Sequence, residues 1–130
     1  MERALEVFAA MSDRTRVRLY RLLLDAKKEI AVCELIDAVQ ESQYNVSRHL
    51  QVLKTAGLAK ENRRGRWILY SVADNDGPDV SGVVMSMDEK AFKEDRARLK
   101  KRLSLRNGDE IVSCTLAREL METTKGGSDK

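Results

Sequence analysis

The stretch SQYNVSRHLQVLKTAGL, residues 42–58, decides how this chain is read. Wound at about 100° per residue, it gathers Val46, Leu50, Leu53 and Ala56 into one apolar stripe. Tyr44, Ser47, Arg48, Gln51 and Thr55 then point outward. Ser42 is a good N-terminal cap, and Gly57 can take the left-handed conformation that ends a helix without a Cβ penalty. The spacing therefore predicts a helix stopped at Gly57. Its outward face collects short and planar hydrogen-bonding groups in the first half, while the charged Lys54 comes late. A helix that lays its N-terminal half against base edges has this composition, and a plain solvated face has one close to it.

Working outward from this helix, the residues before it predict three more. Leu5, Phe8, Ala9 and Met11 give a short apolar face, and Ser12 is expected to cap a second helix beginning DRTRVRLYRLLL. Val17, Leu19, Tyr20, Leu23 and Leu24 are its apolar positions. Arg14, Arg16, Arg18 and Arg21 lie between them, as an amphipathic helix or a phosphate contact would each place them. After DAKKE, Ile30 reads as a brief strand. Val32, Leu35, Ile36 and Val39 then form the buried side of a short helix ending near Gln40. Residues 40–42 connect it to the organising helix, and two helices joined by so short a turn form a helix-turn-helix whose second member enters the major groove.

Beyond Gly57 the period changes from 3.6 to 2. Residues 58–62 alternate loosely, Arg63, Arg64, Gly65 and Arg66 make a turn, and Trp67, Ile68, Leu69, Tyr70, Ser71 and Val72 form a β-rich run. This is a hairpin signal with a basic tip, hence a wing. Lys60, Arg63, Arg64 and Arg66 against Glu61 leave +3 between residues 58 and 70, equal to the formal net charge of the whole chain. Charge so concentrated suits contact with a phosphate backbone or an adjacent minor groove. ADNDGPDVSG punctuates the chain, because Pro78 is unsuited to a helix interior. A last long helix is expected over about residues 87–105, with Ala91, Phe92, Leu99 and Leu103 on one side and dense charge elsewhere. That apolar stripe is more than a small winged core needs, so it calls for a second copy of the chain, together with Leu5 and Phe8 of the first helix. IVSCTLARELM reads as a further helical or extended piece and TTKGGSDK as a loose tail.

At 130 residues, 42% of them hydrophobic and only six aromatic, one domain of ordinary size is expected. Residues 1–105 read as a winged helix-turn-helix DNA-binding and dimerisation domain, and residues 106–130 as a partly flexible extension. The fold class is mainly α with a small β-hairpin wing. No apolar run approaches the roughly 20 residues that a bilayer requires, and the acidic N-terminus runs straight into a helical pattern, so a cytoplasmic protein is expected. Cys33 and Cys114 are too few for a disulfide framework. There is no phosphate-binding glycine loop and no nucleophile in a sensible context with a base, so no enzyme is expected.

With turn, helix and wing in place, residues 4–105 resemble the ArsR/SmtB family of dimeric bacterial winged-helix repressors. The resemblance is carried by Ser42, Val46, Ser47, His49, Leu50, Leu53, Ala56, Gly57 and Leu58, followed by Arg64, Gly65, Arg66 and Tyr70. It implies a homodimer that binds an imperfect inverted repeat in operator DNA and releases it when an effector binds. Arsenite sensors of the family usually carry C-V-C-D-L before the recognition helix. Here the residues are Ala31, Val32, Cys33, Glu34 and Leu35, so the first thiolate is missing. Zinc-sensing relatives use Asp and His pairs on the last helix. This chain offers Asp88, Glu89, Glu94 and Asp95 there without a histidine, and no zinc site is expected.

The residues divide accordingly. Tyr44, Ser47, Arg48 and Gln51 are the base-reading candidates, with Arg48 suited to guanine and Gln51 to adenine. His49, Lys54, Arg63, Arg64 and Arg66 are the candidates for the DNA backbone, His49 beside the first helix of the motif with one ring nitrogen free for a phosphate. Trp67, Ile68 and Tyr70 read as packing. Cys33 is a small core side chain or a sensor, and Cys114 either folds back on its own domain or crosses to the other subunit. Two thiols per chain permit an As(III) or Sb(III) effector site only with a further sulfur from the other subunit or from an exogenous thiol. A redox or persulfide switch needs only two. An effector-released repressor is the leading reading, with arsenite or antimonite or a thiol-modifying signal as effector. Alternatives are an architectural protein that binds double-stranded DNA without an effector, and a winged helix used for protein contact.

Overall fold

The computed structural model describes residues 1–74 and 77–128. In chain order the elements are α1 (Glu2–Ala10), α2 (Arg14–Ala26), β1 (Ile30–Ala31), α3 (Val32–Val39), α4 (Gln43–Thr55), β2 (Ala59–Arg64), β3 (Trp67–Val72), α5 (Ser81–Met85), α6 (Lys93–Leu103) and α7 (Cys114–Ser128), with a 3-10 turn at Glu89–Ala91 before α6. The fold is mostly helical with one small antiparallel sheet in the order β1-β3-β2. The predicted helix-turn-helix is α3 and α4. The predicted hairpin is β2 and β3, closed by a two-residue turn in which Gly65 supplies the positive φ of 58°.

Local chemistry sets the helix ends. Asp13, not Ser12, caps α2, its carboxylate accepting the Arg16 N–H, while the Ser12 hydroxyl donates back to the Ala9 carbonyl at the end of α1. Ser42 caps α4 by accepting the Asn45 N–H at 3.1 Å. Gln40 ends α3 in the left-handed conformation at φ 58°, and Gly57 does the same after α4 at φ 80°. Val46, Leu50, Leu53 and Ala56 are all buried, as the stripe requires, in a core shared with Leu19, Leu22, Leu23, Leu35 and Leu58.

The C-terminal half departs from expectation. The long helix over residues 87–105 is broken into the 3-10 turn and α6, and the short α5 begins at the last two residues of the segment expected only to punctuate the chain. Asn75 and Asp76 of that segment lie outside the described residues. Phe92 and Leu99 are buried in the chain's own core, and Leu103 packs against it. The apolar side of α6 is thus largely consumed within the chain, where the Arg21 guanidinium also lies 4.8 Å over the Phe92 ring. Ala91 stays exposed, as do Leu5 and Phe8, both more than half accessible. Arginines fix α6 against α3: Arg98 donates to the Ala38 carbonyl and Arg18 to the Val39 carbonyl, and both hold the buried Asp95 carboxylate. α7 carries helical backbone through TTKGGS, where a loose tail is expected. Asp129 and Lys130 lie outside the described residues.

Candidate nucleic-acid interface and thiol pair

On the outward side of α4, Tyr44 is three-quarters exposed, Arg48 and Gln51 are exposed, and Ser47 is half-buried. Arg63, Arg64 and Arg66 are exposed at the wing tip, with Arg66 4.7 Å over the Trp67 ring. The structure therefore brings the base-reading candidates and the wing arginines to solvent. Gln51 and Lys54 have protein partners as well. The Gln51 amide donates to Glu61 Oε1 at 3.2 Å and to the Tyr70 hydroxyl at 3.1 Å, Tyr70 donates to Glu61 Oε1 at 2.7 Å, and Lys54 Nζ lies 3.6 Å from Glu61 Oε2. The Tyr70 hydrogen bond, reinforced by Lys54, holds the Glu61 carboxyl below its usual range, while burial and then Glu61 raise the Tyr70 phenol. Glu61 and Tyr70 face each other across the hairpin, a pairing that follows once the two-residue turn fixes the register.

His49 requires a correction. It is buried, with Nδ1 3.1 Å from Arg16 Nη1 and Nε2 3.9 Å from the Asp13 carboxylate, so both ring nitrogens face protein and neither is presented to a DNA phosphate. The reason is geometric: the edge of the buried stripe faces the α1–α2 junction, which Arg16 fills. Burial, more than the neighbouring charges, lowers the His49 pKa. Arg16 also donates to the Ala10 carbonyl at 2.8 Å, and Arg3 donates to the Thr55 carbonyl at 2.8 Å. Two arginines absent from the expected site thus tie α1 to α4.

The cysteines, whose approach is left open by the sequence between one chain and two, are neighbours within one chain. Cys33 is the second residue of α3 and Cys114 the first of α7, and Cys114 Sγ lies 3.6 Å from the Cys33 carbonyl oxygen. Burial, followed by the proximity of Cys114, pushes the Cys33 thiol up to about 12, against the opposing pull of Arg102. Arg102 is fully buried and links the segments: Nε donates to Asp37 at 2.6 Å, Nη2 donates to the Val112 carbonyl at 2.5 Å and lies 3.7 Å from Cys33 Sγ, and Nη1 has no hydrogen-bond partner among the described residues. Arg106 pairs with the buried Glu34, which also accepts the Ala31 N–H. Nothing in the sequence separates Arg102 from the lysines beside it, because only the packing of α6 shows which of the three faces inward. Among the described residues no three His, Cys, Asp or Glu side chains gather as a metal-holding group.

A short turn between two helices, an exposed polar face on the second, and a basic hairpin directly after it define a winged helix-turn-helix DNA-binding protein. A family model described as bacterial regulatory protein, arsR family, matches residues 13–61. An uncharacterized HTH-type transcriptional regulator of Methanocaldococcus jannaschii is 34% identical over 88 residues, which cover 68% of this chain and 94% of that protein. The arsenic resistance transcriptional regulator ArsR2 of Pseudomonas putida is 42% identical over 65 residues, half of this chain and 56% of the relative. Among solved structures, HlyU from Vibrio cholerae N16961 superposes with a TM-score of 0.56 at 25% identity, over 65% of this chain and 86% of that one. The chain belongs to the arsR family of bacterial regulatory proteins. It is a DNA-binding transcription regulator, not an enzyme. No helix among the described residues is long and apolar enough to cross a membrane.

Proposed function

We propose that the chain is a cytoplasmic, homodimeric, sequence-specific repressor that leaves an inverted-repeat operator when the Cys33–Cys114 pair is ligated or modified. The observation that carries this reading is the 3.6 Å approach of Cys114 Sγ to the Cys33 backbone, on the helix that hands the chain to α4 through three residues. Chemistry at that point has little distance to travel before it tilts the reading helix. Tyr44, Ser47 and Arg48 read bases, and Gln51 joins them by exchanging Glu61 for a base edge. Lys54, Arg63, Arg64 and Arg66 hold phosphates. Leu5 and Phe8, exposed on α1, supply the apolar surface of the dimer together with Ala91.

Arsenite or antimonite is the favoured effector, since the V-C-E-L pattern is retained and ArsR2 is named for arsenic resistance. Two sulfurs come from one chain and the third from a small exogenous thiol. The test is a fluorescence-anisotropy titration of the operator complex with arsenite, antimonite and an oxidant, on wild type, Cys33→Ser and Cys114→Ser at matched salt. Release by arsenite and antimonite is expected in wild type and lost in Cys33→Ser. Metalloid release that survives in Cys33→Ser, or none by any reagent in wild type, ends the reading.

A further inference from the structure

The two thiols open on a pocket of about 320 Å³ walled by Gln43 and Ser47 of α4, by Arg66 and Trp67 of the wing, and by apolar side chains of β1, α3 and β3. A single water occupies about 30 Å³ of liquid, so this space is far larger than one arsenic or oxygen atom requires. Gln43 and Ser47 lie in the leading turns of the helix that faces DNA, and Arg66 sits at the wing tip. The Arg66 guanidinium rests on the Trp67 ring and enters no ion pair among the described residues. A thiol pair, a free guanidinium, an amide and a hydroxyl therefore converge on one small space.

We propose that this pocket receives a small peptide-like thiol joined to Cys114 as a mixed disulfide, with its carboxylate on Arg66 and its amides on Gln43 and Ser47, and that the seated adduct excludes DNA directly. The proposal rests on the thiol-responsive reading above and adds the ligand class and the means of release. Thiol–disulfide exchange makes the adduct. Cys114 gives its proton to solvent, the thiolate's electron pair bonds one sulfur of a low-molecular-weight disulfide, the old S–S bond breaks, and the departing thiolate takes up a proton. The Cys114 sulfur is oxidised and the leaving sulfur reduced, so no further oxidant is needed. Cys114 is the attacking residue because Cys33 packs into the cluster of Ala31, Leu69, Ile111 and Trp67, to which Cys114 does not belong. Burial, the largest cause of the raised Cys33 thiol, remains once Cys114 is capped and keeps Cys33 a slow resolving group, so the mixed disulfide persists instead of closing to Cys33–Cys114. Since adduct and DNA both claim Ser47 and Arg66, bound operator must in turn shield Cys114.

The experiment treats the full chain, free and saturated with operator, with glutathione disulfide and with cystamine, whose amines replace the carboxylates. Intact mass and anisotropy are followed together. One glutathione per chain is expected on wild type and on Cys33→Ser and none on Cys114→Ser, with operator slowing the reaction by about tenfold or more. Arg66→Ala should slow glutathione disulfide and not cystamine. Equal labelling with and without operator overturns the proposal. So does an internal disulfide as the sole product, although release by that disulfide would leave the thiol-responsive reading standing. Failure of glutathione disulfide, arsenite, antimonite and oxidant alike to release DNA would remove both.

Discussion

His49 is the chain's only histidine, and its surroundings make it a structural residue with a definite pH signature. Burial lowers its pKa below the ordinary 6.5, so between the folded value and 6.5 the unfolded chain holds a proton that the folded chain refuses. Its contribution to stability is whole above pH 6.5 and is lost as the pH falls through the folded value. Thermal melts between about pH 5 and 8 should show stability falling on the acid side, and His49→Gln should flatten that part of the curve. An unchanged slope would contradict the assignment. Arg102 is the other buried polar residue on which much depends. Arg102→Ala strips Asp37 of its partner and should cost on the order of 3 kcal/mol in a denaturant melt. A surface residue would cost almost nothing.

Among the elements, the proposed function gives α4 and the wing separable work. Arg64→Ala should weaken operator and scrambled DNA about equally and lower the salt slope by about one unit per lost phosphate contact. Arg48→Ala should cost about 1 to 3 kcal/mol mainly on the operator. The same sequence bias in both variants would merge the two roles. Both elements were legible in the sequence because their determinants are local: Ser42 and Gly57 mark the ends of α4, a stripe at helical spacing marks its buried side, and Gly65 marks the turn of the hairpin. What stayed hidden depends on contacts between distant segments. Phe92 and Leu99 read as a stripe in search of a second subunit, yet their own core takes them in. Gln51 read as wholly outward, yet Glu61 and Tyr70 of the wing hold its amide. Cys33 and Cys114, with 81 positions between their numbers, met only once residues 105–113 turned back over α3. Glu61→Gln weakens the charged acceptor that joins helix to wing and removes a carboxylate beside the expected phosphate contacts. It should raise non-specific DNA affinity in a salt-titrated shift assay, and unchanged affinity would show that the wing is held by other contacts.

For the whole molecule, Leu5 and Phe8 are exposed on α1, and in the proposed dimer they give the second copy its surface even though α6 has little left to offer. Light scattering at micromolar protein should report a dimer, with half-sites about 34 to 36 Å apart on the DNA. A monomer that grips a single half-site tightly would refute it. Within each subunit, Arg102 and Arg106 connect the C-terminal segment to α3, and α3 leads through residues 40–42 to α4, so the thiols stand one helix away from the reading face. The central claim is that the state of Cys33 and Cys114 governs occupancy of the operator. It is tested most directly by measuring, in one sample across a reagent titration, the fraction of operator released by anisotropy and the fraction of chains altered at the two cysteines by intact mass. The two fractions should rise together in wild type, and a Cys33→Ser, Cys114→Ser double variant should bind the operator and keep it. Release from the double variant at the same reagent concentration would contradict the account.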